Sequence, residues 1–325
     1  MNLLDVYKEL NTEDKCLAFL EHMRWPDGVK CLSCESSRLT RITSKGKTNK
    51  KTGRTGPDRK LYQCNDCRFQ FTATTGTVYH DTHLPLGKWF LAIALITESR
   101  KGISANQLAR ALGVQYRTAW YLAHRIRKAM VEANPPKLTG TVEIDETYIG
   151  GKKRGRRGVK KDKDVVMGIR ERGGDLRLYQ IAAPSIDALS ERIKENVSPD
   201  VKQVITDEWA AYPAAFIASK IKGGKHDTIR HKDKIYVQGD IHTNTVESAF
   251  SLFKRGIVGA FHKVSLKHLQ RYLNEFSFRF NNRKSADLFG MTVQRMALAG
   301  NLPYAKLVEE NAFTPFIRPE IKTRS

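Results

Sequence analysis

Two short cysteine pairs, Cys31-Leu32-Ser33-Cys34 and Cys64-Asn65-Asp66-Cys67, stand 29 residues apart and constrain the fold of this chain more than any other feature. Each pair can present two thiolates from one tight turn, and two such turns close a tetrahedral four-sulfur site around one structural zinc ion. The ion supplies folding free energy that so polar and glycine-rich a segment cannot draw from burial. Four sulfur ligands leave no place for water, which excludes hydrolytic chemistry at that ion. Between the pairs, Arg41 to Lys60 is dense in Lys, Arg, Thr and Gly and reads as a mobile basic loop or short hairpin tip outside any core. After the second pair, Phe69-Gln70-Phe71-Thr72-Ala73 alternates as a half-buried strand does. The fifth cysteine, Cys16, belongs to an N-terminal helical segment and has no assigned role. Paired cysteines with one left over suit a reducing compartment better than a disulfide framework.

The chain has 325 residues, length for two or three domains of roughly 100 to 200 residues each, and 56 Lys and Arg against 34 Asp and Glu give it a formal charge of +22. The basic residues recur along the whole chain, so a polyanionic partner, nucleic acid first, is expected over a membrane surface. The apolar stretch Trp89 to Ile96 is far short of the ~20 residues that span a bilayer. The first residues carry no basic region followed by an apolar block, so the expected location is the cytoplasm. A helix is predicted over Leu86 to Ile96, and Ser104 with Gln107 fits a capping box that opens a second, running to Gly113. A third, Gln115 to Met130, sets Ala119, Leu122, Ile126 and Met130 on one face and Arg117, His124, Arg125, Arg127 and Lys128 on the others. Helix, glycine turn and basic helix read as a helix-turn-helix whose second helix enters a major groove, with Arg117, Arg125 and Lys128 as DNA contacts. A plain pair of core helices with solvated charges is the alternative.

Asn134-Pro135-Pro136 breaks helix and marks a boundary. Beyond it the pattern reads strand (140–149), strand (165–170), strand (176–182), helix (186–197), strand (201–206), a mixed stretch, helix (245–255), and helical spacing again from His268. That order is an α/β domain with a mixed sheet and flanking helices. Three acids fall at its structural junctions. Asp145 sits in the strand Val142-Glu143-Ile144-Asp145, Asp207 follows Val204-Ile205-Thr206, and Glu247 opens a helix with Lys254 seven residues on. Carboxylates far apart in sequence but gathered by two strands and a helix can hold two magnesium or manganese ions against a phosphodiester, and Lys254 can pair with its phosphate. Asn244 shares the helical face of Glu247 and is the alternative third ligand. Each acid alone has an ordinary structural role open to it, as a solvated strand end, a helix cap or an ion-pair partner. Glu143, Glu146 and Glu208 read as supporting or surface groups, and His242 and His262 as packed or solvated.

Three segments carry a resemblance: Val142-Glu143-Ile144-Asp145-Glu146-Thr147-Tyr148-Ile149-Gly150-Gly151, Thr206-Asp207-Glu208-Trp209, and His242-Thr243-Asn244-Thr245-Val246-Glu247-Ser248 with Lys254 and Arg255. With the cysteine pairs, the chain resembles the DDE-type insertion-sequence transposases of bacteria that have an N-terminal zinc ribbon. The resemblance implies an RNase H-like catalytic domain with Asp145, Asp207 and Glu247 as metal ligands. It likewise implies Lys254 at the element's end, cleavage of transposon ends, and attack of the freed 3′-hydroxyl on target DNA. A catalytically silent DNA-binding regulator and an RNase H-like nuclease are the rival readings. The expected organisation is an N-terminal helical segment (1–27), zinc ribbon (28–80), helix-turn-helix (81–134), catalytic domain (138–285) and C-terminal extension (286–325). The run from Lys152 to Lys161 should grip DNA phosphates through Lys152, Lys153, Arg154, Arg156 and Arg157. Expected partners are double-stranded DNA and, for synapsis of two ends, at least a second copy of the chain in a nucleoid-associated complex.

Overall fold

The computed structural model describes residues 1–46, 53, 59–132, 134–150, 164–181, 185–221, 223–229, 237 and 239–309. Lys152, Lys153, Arg154, Arg156 and Arg157 lie outside the described residues. Helices α1 (Leu3–Glu9) and α2 (Glu13–Arg24) begin at side-chain caps. Asn2 accepts from the amides of Leu4 and Asp5, and Thr12 from that of Lys15, which satisfies donors that a helix start leaves open. The ribbon is a three-stranded antiparallel sheet in the order β1 (Leu39–Ser44), β2 (Arg59–Cys64), β3 (Gln70–Phe71). Part of the segment expected as loop is therefore ladder, with Arg41 opposite Tyr62 and Ser44 opposite Arg59. Thr40, Ile42 and Thr43 are β-branched and suit a pleated surface, a signal the surrounding charge obscures.

Three helices follow, α3 (Leu86–Glu98), α4 (Ala105–Leu112) and α5 (Tyr116–Ala129). The Ser104 hydroxyl accepts from the Gln107 amide at 3.1 Å, and Gly113 closes α4 in the left-handed conformation (φ 61°, ψ 47°). Glycine takes that conformation without the steric cost a side chain would add. The chain then forms β4 (Thr141–Ile149), β5 (Asp164–Glu171), β6 (Leu176–Ile181), α6 (Ile186–Asn196), β7 (Gln203–Asp207), α7 (Ala211–Ala218), β8 (Lys225–Ile229) and α8 (Asn244–Gly256). A π-helical turn (Ile257–Phe261) leads to α9 (Leu266–Asn281), α10 (Leu288–Leu298) and α11 (Tyr304–Val308).

The sheet order is β6-β5-β4-β7-β8, with β4, β5 and β6 antiparallel in turn and β7 and β8 parallel to β4. This is the RNase H-like α/β arrangement. Val142 and Ile144 point to a core shared with α6 and α7, while Ile149 points to one shared with α8 and α9, as alternation along a strand requires. A separate helical core joins α1 to α5 with Phe278 of α9 and with Phe289, Val293 and Met296 of α10. The far end of the chain thus closes the core that its first residues begin. No helix among the described residues is long and apolar enough to cross a membrane.

Candidate active site and metal centre

Cys31, Cys34, Cys64 and Cys67 meet at one point, all four Sγ atoms within 4.8 Å of one another, and no disulfide links them. The Cys31–Cys67 and Cys34–Cys64 Sγ separations are both 3.5 Å. Tetrahedral zinc with sulfur at ~2.3 Å sets its ligands about 3.8 Å apart, so the four thiols fit one structural ion. Phe71, stacked on Tyr62 with centroids 5.7 Å apart, backs the site. Cys16 stands elsewhere: its thiol is buried in the helical core, donates to the Leu10 carbonyl at 3.2 Å, and is pushed up to about 11 by burial. It is a packing residue whose thiolate is suppressed.

The parallel register of β4 and β7 explains how two acids come together. Glu143 stands beside Ile205, and two residues further along each strand lie Asp145 and Asp207. Neighbouring strands run about 4.8 Å apart, so the two carboxylates emerge side by side at one end of the sheet. Burial, then the charge of Glu146, and then those of Asp207 and Glu247 raise the Asp145 carboxyl to about 7, against an opposing hydrogen bond from the Glu146 amide. Asp207 accepts from the Trp209 amide at 3.0 Å, and Glu247 from the Thr243 hydroxyl at 2.7 Å. Asp145, Glu247 and Lys254 line a single cleft of about 610 Å³, together with Arg255 and Lys101. Asn244 is exposed in the first turn of α8, and neither it nor Asp207 is among the lining residues, Asp207 being placed by its strand register beside Asp145. Glu146 points to the opposite face and receives the Tyr212 hydroxyl, and its own carboxyl is raised by burial and by Asp207.

Glu143 does more than support. Its side chain is fully buried, and it accepts from the amides of Thr245 (2.9 Å) and Val246 (3.1 Å) and from the Thr245 hydroxyl (2.8 Å), while pairing with Arg172 at 2.7 Å. A carboxylate two residues before Asp145 thereby caps α8, the helix that carries Glu247, where open amide donors and the helix dipole favour negative charge. Gly168, opposite Asp145 on β5, sets the height of that helix above the sheet: a Cβ there would lie 2.6 Å from the Phe250 ring and 2.8 Å from a Val246 methyl. His242 packs into the same cluster, 3.3 Å from Glu143.

Lys101 was not legible as a site residue, since it stands in the turn between α3 and α4 with no local motif. Structure brings it there: Gly256 packs 2.9 Å from the Lys101 carbonyl, measured from where its Cβ would be, and Gly102 lies under the Phe261 ring. The expected DNA contacts of α5 divide. Arg117 is exposed near the helix start. Arg125 and Lys128 correct the expectation, because both turn inward. Arg125 is 5 % exposed, bonds the His80 carbonyl and lies over the Trp89 ring, and Lys128 bonds the carbonyls of Gly300 and Asn301 and is pushed down to about 8 by burial. The C-terminal half of α5 is covered by α9 and the segment after α10, so its charges serve packing.

Residues 137–281 match the family model of the ISXO2-like transposase domain, and residues 11–70 that of the transposase zinc-ribbon domain. Over 288 residues the chain is 29% identical to an uncharacterized protein in transposable element ISH50 of Halobacterium salinarum, an alignment that covers 84% of this chain and 92% of that protein.

Proposed function

The chain belongs to the insertion-sequence transposases in which a zinc ribbon precedes an ISXO2-like transposase domain, and from that premise we propose that it cuts DNA at the ends of its element and joins the freed 3′-hydroxyls to target DNA. Asp145, Asp207 and Glu247 are the proposed ligands of two magnesium or manganese ions. The observation that carries this reading is the register that sets Asp145 beside Asp207 on neighbouring parallel strands, with the Asp145 carboxyl raised to about 7 by burial, by Glu146 and then by Asp207 and Glu247, at a cleft that Glu247, Lys254, Arg255 and Lys101 also line. Such a group is poorly stable as an anion until a cation neutralises its neighbours. Its donor set is hard oxygen, which suits magnesium or manganese. Bound there, a pair of divalent ions would activate the attacking hydroxyl and stabilise the leaving oxygen of an in-line displacement.

The protein's own contribution is position. Adjacent strands fix Asp145 and Asp207, and Thr243 orients the Glu247 carboxylate. Lys254, Arg255 and Lys101 supply cations for the phosphates of the strand being cut. Glu247 is preferred to Asn244 as third ligand, because a carboxylate binds a hard dication better than an amide and because Glu247 lines the cleft. End recognition falls to the exposed start of α5, with Arg117, and to the ribbon, and the basic run 152–157 is proposed to hold the DNA backbone. Synapsis of two ends requires at least two copies.

The test is a strand-cleavage and strand-transfer assay on a plasmid carrying DNA that flanks the gene, comparing wild type with Asp207→Asn in magnesium and in EDTA. Joined products that require both Asp207 and the metal are expected. Cleavage without joining would identify a nuclease, and sequence-specific binding with neither activity would identify a regulator.

A further inference from the structure

The π-helical turn Ile257–Phe261 borders two clefts. Val258 and Gly259 line the acid cleft, whereas Phe261 lines a larger one of about 1060 Å³ between α4–α5 and the start of α9. Its lining is aromatic: Trp120 from α5 and Tyr272 from α9 both pack on His124, at 4.4 and 5.6 Å, and Phe261 meets Tyr272 edge to face with centroids 4.8 Å apart. The exposed side chains of Arg110 and Lys263 stand at its rim. No carboxylate is found among the described residues that line it. His268 also lines the cleft, is 9 % exposed, lies edge-on to Trp120 at 5.3 Å, and has a buried Nδ1 with no hydrogen-bond partner.

These features select a ligand that is flat, aromatic and anionic, and that has a polar edge. A neutral aliphatic ligand would use neither the rings nor the two cations, whereas a nucleotide uses both. A base stacked in a duplex offers neither face to a side chain, whereas an unpaired one offers both. We propose that this cleft binds an unpaired nucleotide of a DNA strand, with its base among Trp120, Phe261 and Tyr272 and its phosphate on Arg110 and Lys263. The inference rests on the DNA-processing reading and deepens it. A strand held at the acids has, across one helical turn, a place where an opened base is kept from re-pairing. The π-helical turn joins that place to α8, which carries Glu247 and Lys254.

The test uses the full chain with a fluorescein-labelled oligothymidylate and, in parallel, a duplex of equal length, followed by anisotropy and by tryptophan emission. Oligothymidylate should quench a component of the emission that is missing in Trp120→Phe. In Trp120→Ala its affinity should fall by at least about fivefold, the low end for one lost base stack, with duplex affinity unchanged within about twofold. The double change Arg110→Gln with Lys263→Gln leaves the aromatic walls intact and should lower the salt slope of oligothymidylate binding by about 1.4, the value for two phosphates on a single strand. Binding of both probes with no Trp120 response and no rim effect would overturn the inference while leaving the DNA-processing reading intact. Binding of neither would remove that reading, and this one with it. Quenching of Trp120 that grows with protein concentration in the absence of DNA would assign the cleft to a second copy of the chain and overturn it as well.

Discussion

Asp145 is held at a cost to its charged form. Its carboxyl is raised from the ordinary 3.8 to about 7 by burial and by three neighbouring carboxylates. Well below pH 3.8 the group is neutral in both states and carries no penalty, and as pH rises through 3.8 toward 7 the unfolded chain releases its proton first, so the folded state loses ground. At pH 8 without divalent metal, Asp145→Asn should therefore melt at a higher temperature than wild type. Magnesium should raise the wild-type midpoint and leave the variant nearly unmoved, as differential scanning fluorimetry would show. Glu143 offers a second residue-scale prediction. Glu143→Gln removes the buried charge that Arg172 and the start of α8 share, and breaking a buried pair costs on the order of 3–5 kcal/mol. Urea unfolding should register that loss, and the magnesium concentration for half-maximal cleavage should rise as Glu247 loses its fixed place. The strand positions of Asp145 and Asp207 were readable in the sequence because Val142 and Ile144 anchor one strand and Thr206 precedes an acid at another strand's end. The role of Glu143 was not readable, since nothing local says that a strand carboxylate caps a helix a hundred residues away.

Among the elements, the ribbon and the α5–α9 contact respond to different conditions. The ribbon has its own small core of Cys31, Cys64 and Phe71, distinct from the helical and sheet cores. A zinc chelator should accordingly release protection from hydrogen exchange in β1 to β3 and spare β4 to β7, because the metal supplies that fold's stability and no other's. At the α5–α9 contact, His124 and His268 lie with ring centroids 4.9 Å apart. Burial and the charges of Arg271, Lys267 and Arg127 lower His268 from 6.5 to about 4, and burial with Arg127 lowers His124 also. Both histidines are neutral in the folded protein, so the unfolded chain takes up protons first as pH falls below about 6.5 and stability drops toward pH 4. Relative to His268→Phe, the wild-type urea midpoint should fall between pH 7 and pH 5, a comparison in which the opposite contribution of Asp145 cancels. Sequence periodicity found α3, α5, α6, α8 and α9 because each has an apolar face of sufficient length. It missed β8, where Ile229 is the one buried residue and no alternation survives at the sheet edge, and α7, whose Pro213 reads as a breaker although the first turn of a helix tolerates it.

For the whole molecule, the connection between halves is made deep inside. Glu275 of α9, 1 % exposed, sits between Arg127 of α5 and Arg279, so α5 and α9, the helix that packs on β6, share a buried ion-pair network. The amine of Met1 pairs with Asp287 at 3.0 Å, and α10 packs against α2 and α3. Cutting the chain after Asp287 would remove Phe289, Val293 and Met296 from the helical core. At about 1.5–3 kcal/mol for each buried side chain, that is comparable with the ~5–15 kcal/mol that holds a domain together. Limited proteolysis should then find α3 to α5 digested while the sheet resists. Local pattern marks α10 as helical, but which core it enters depends on a contact spanning most of the chain and is invisible to any window of residues.

That returning helix also sets an order of events during synthesis. On the ribosome, α5 emerges long before α10, and at about 5–20 residues per second the interval is roughly 10–30 s. Through that interval the apolar surface meant for Phe289 and Met296 stays uncovered, inviting chaperones. By the time the nascent chain has a finished scaffold behind α5, Asp145, Asp207 and Glu247 have already been made.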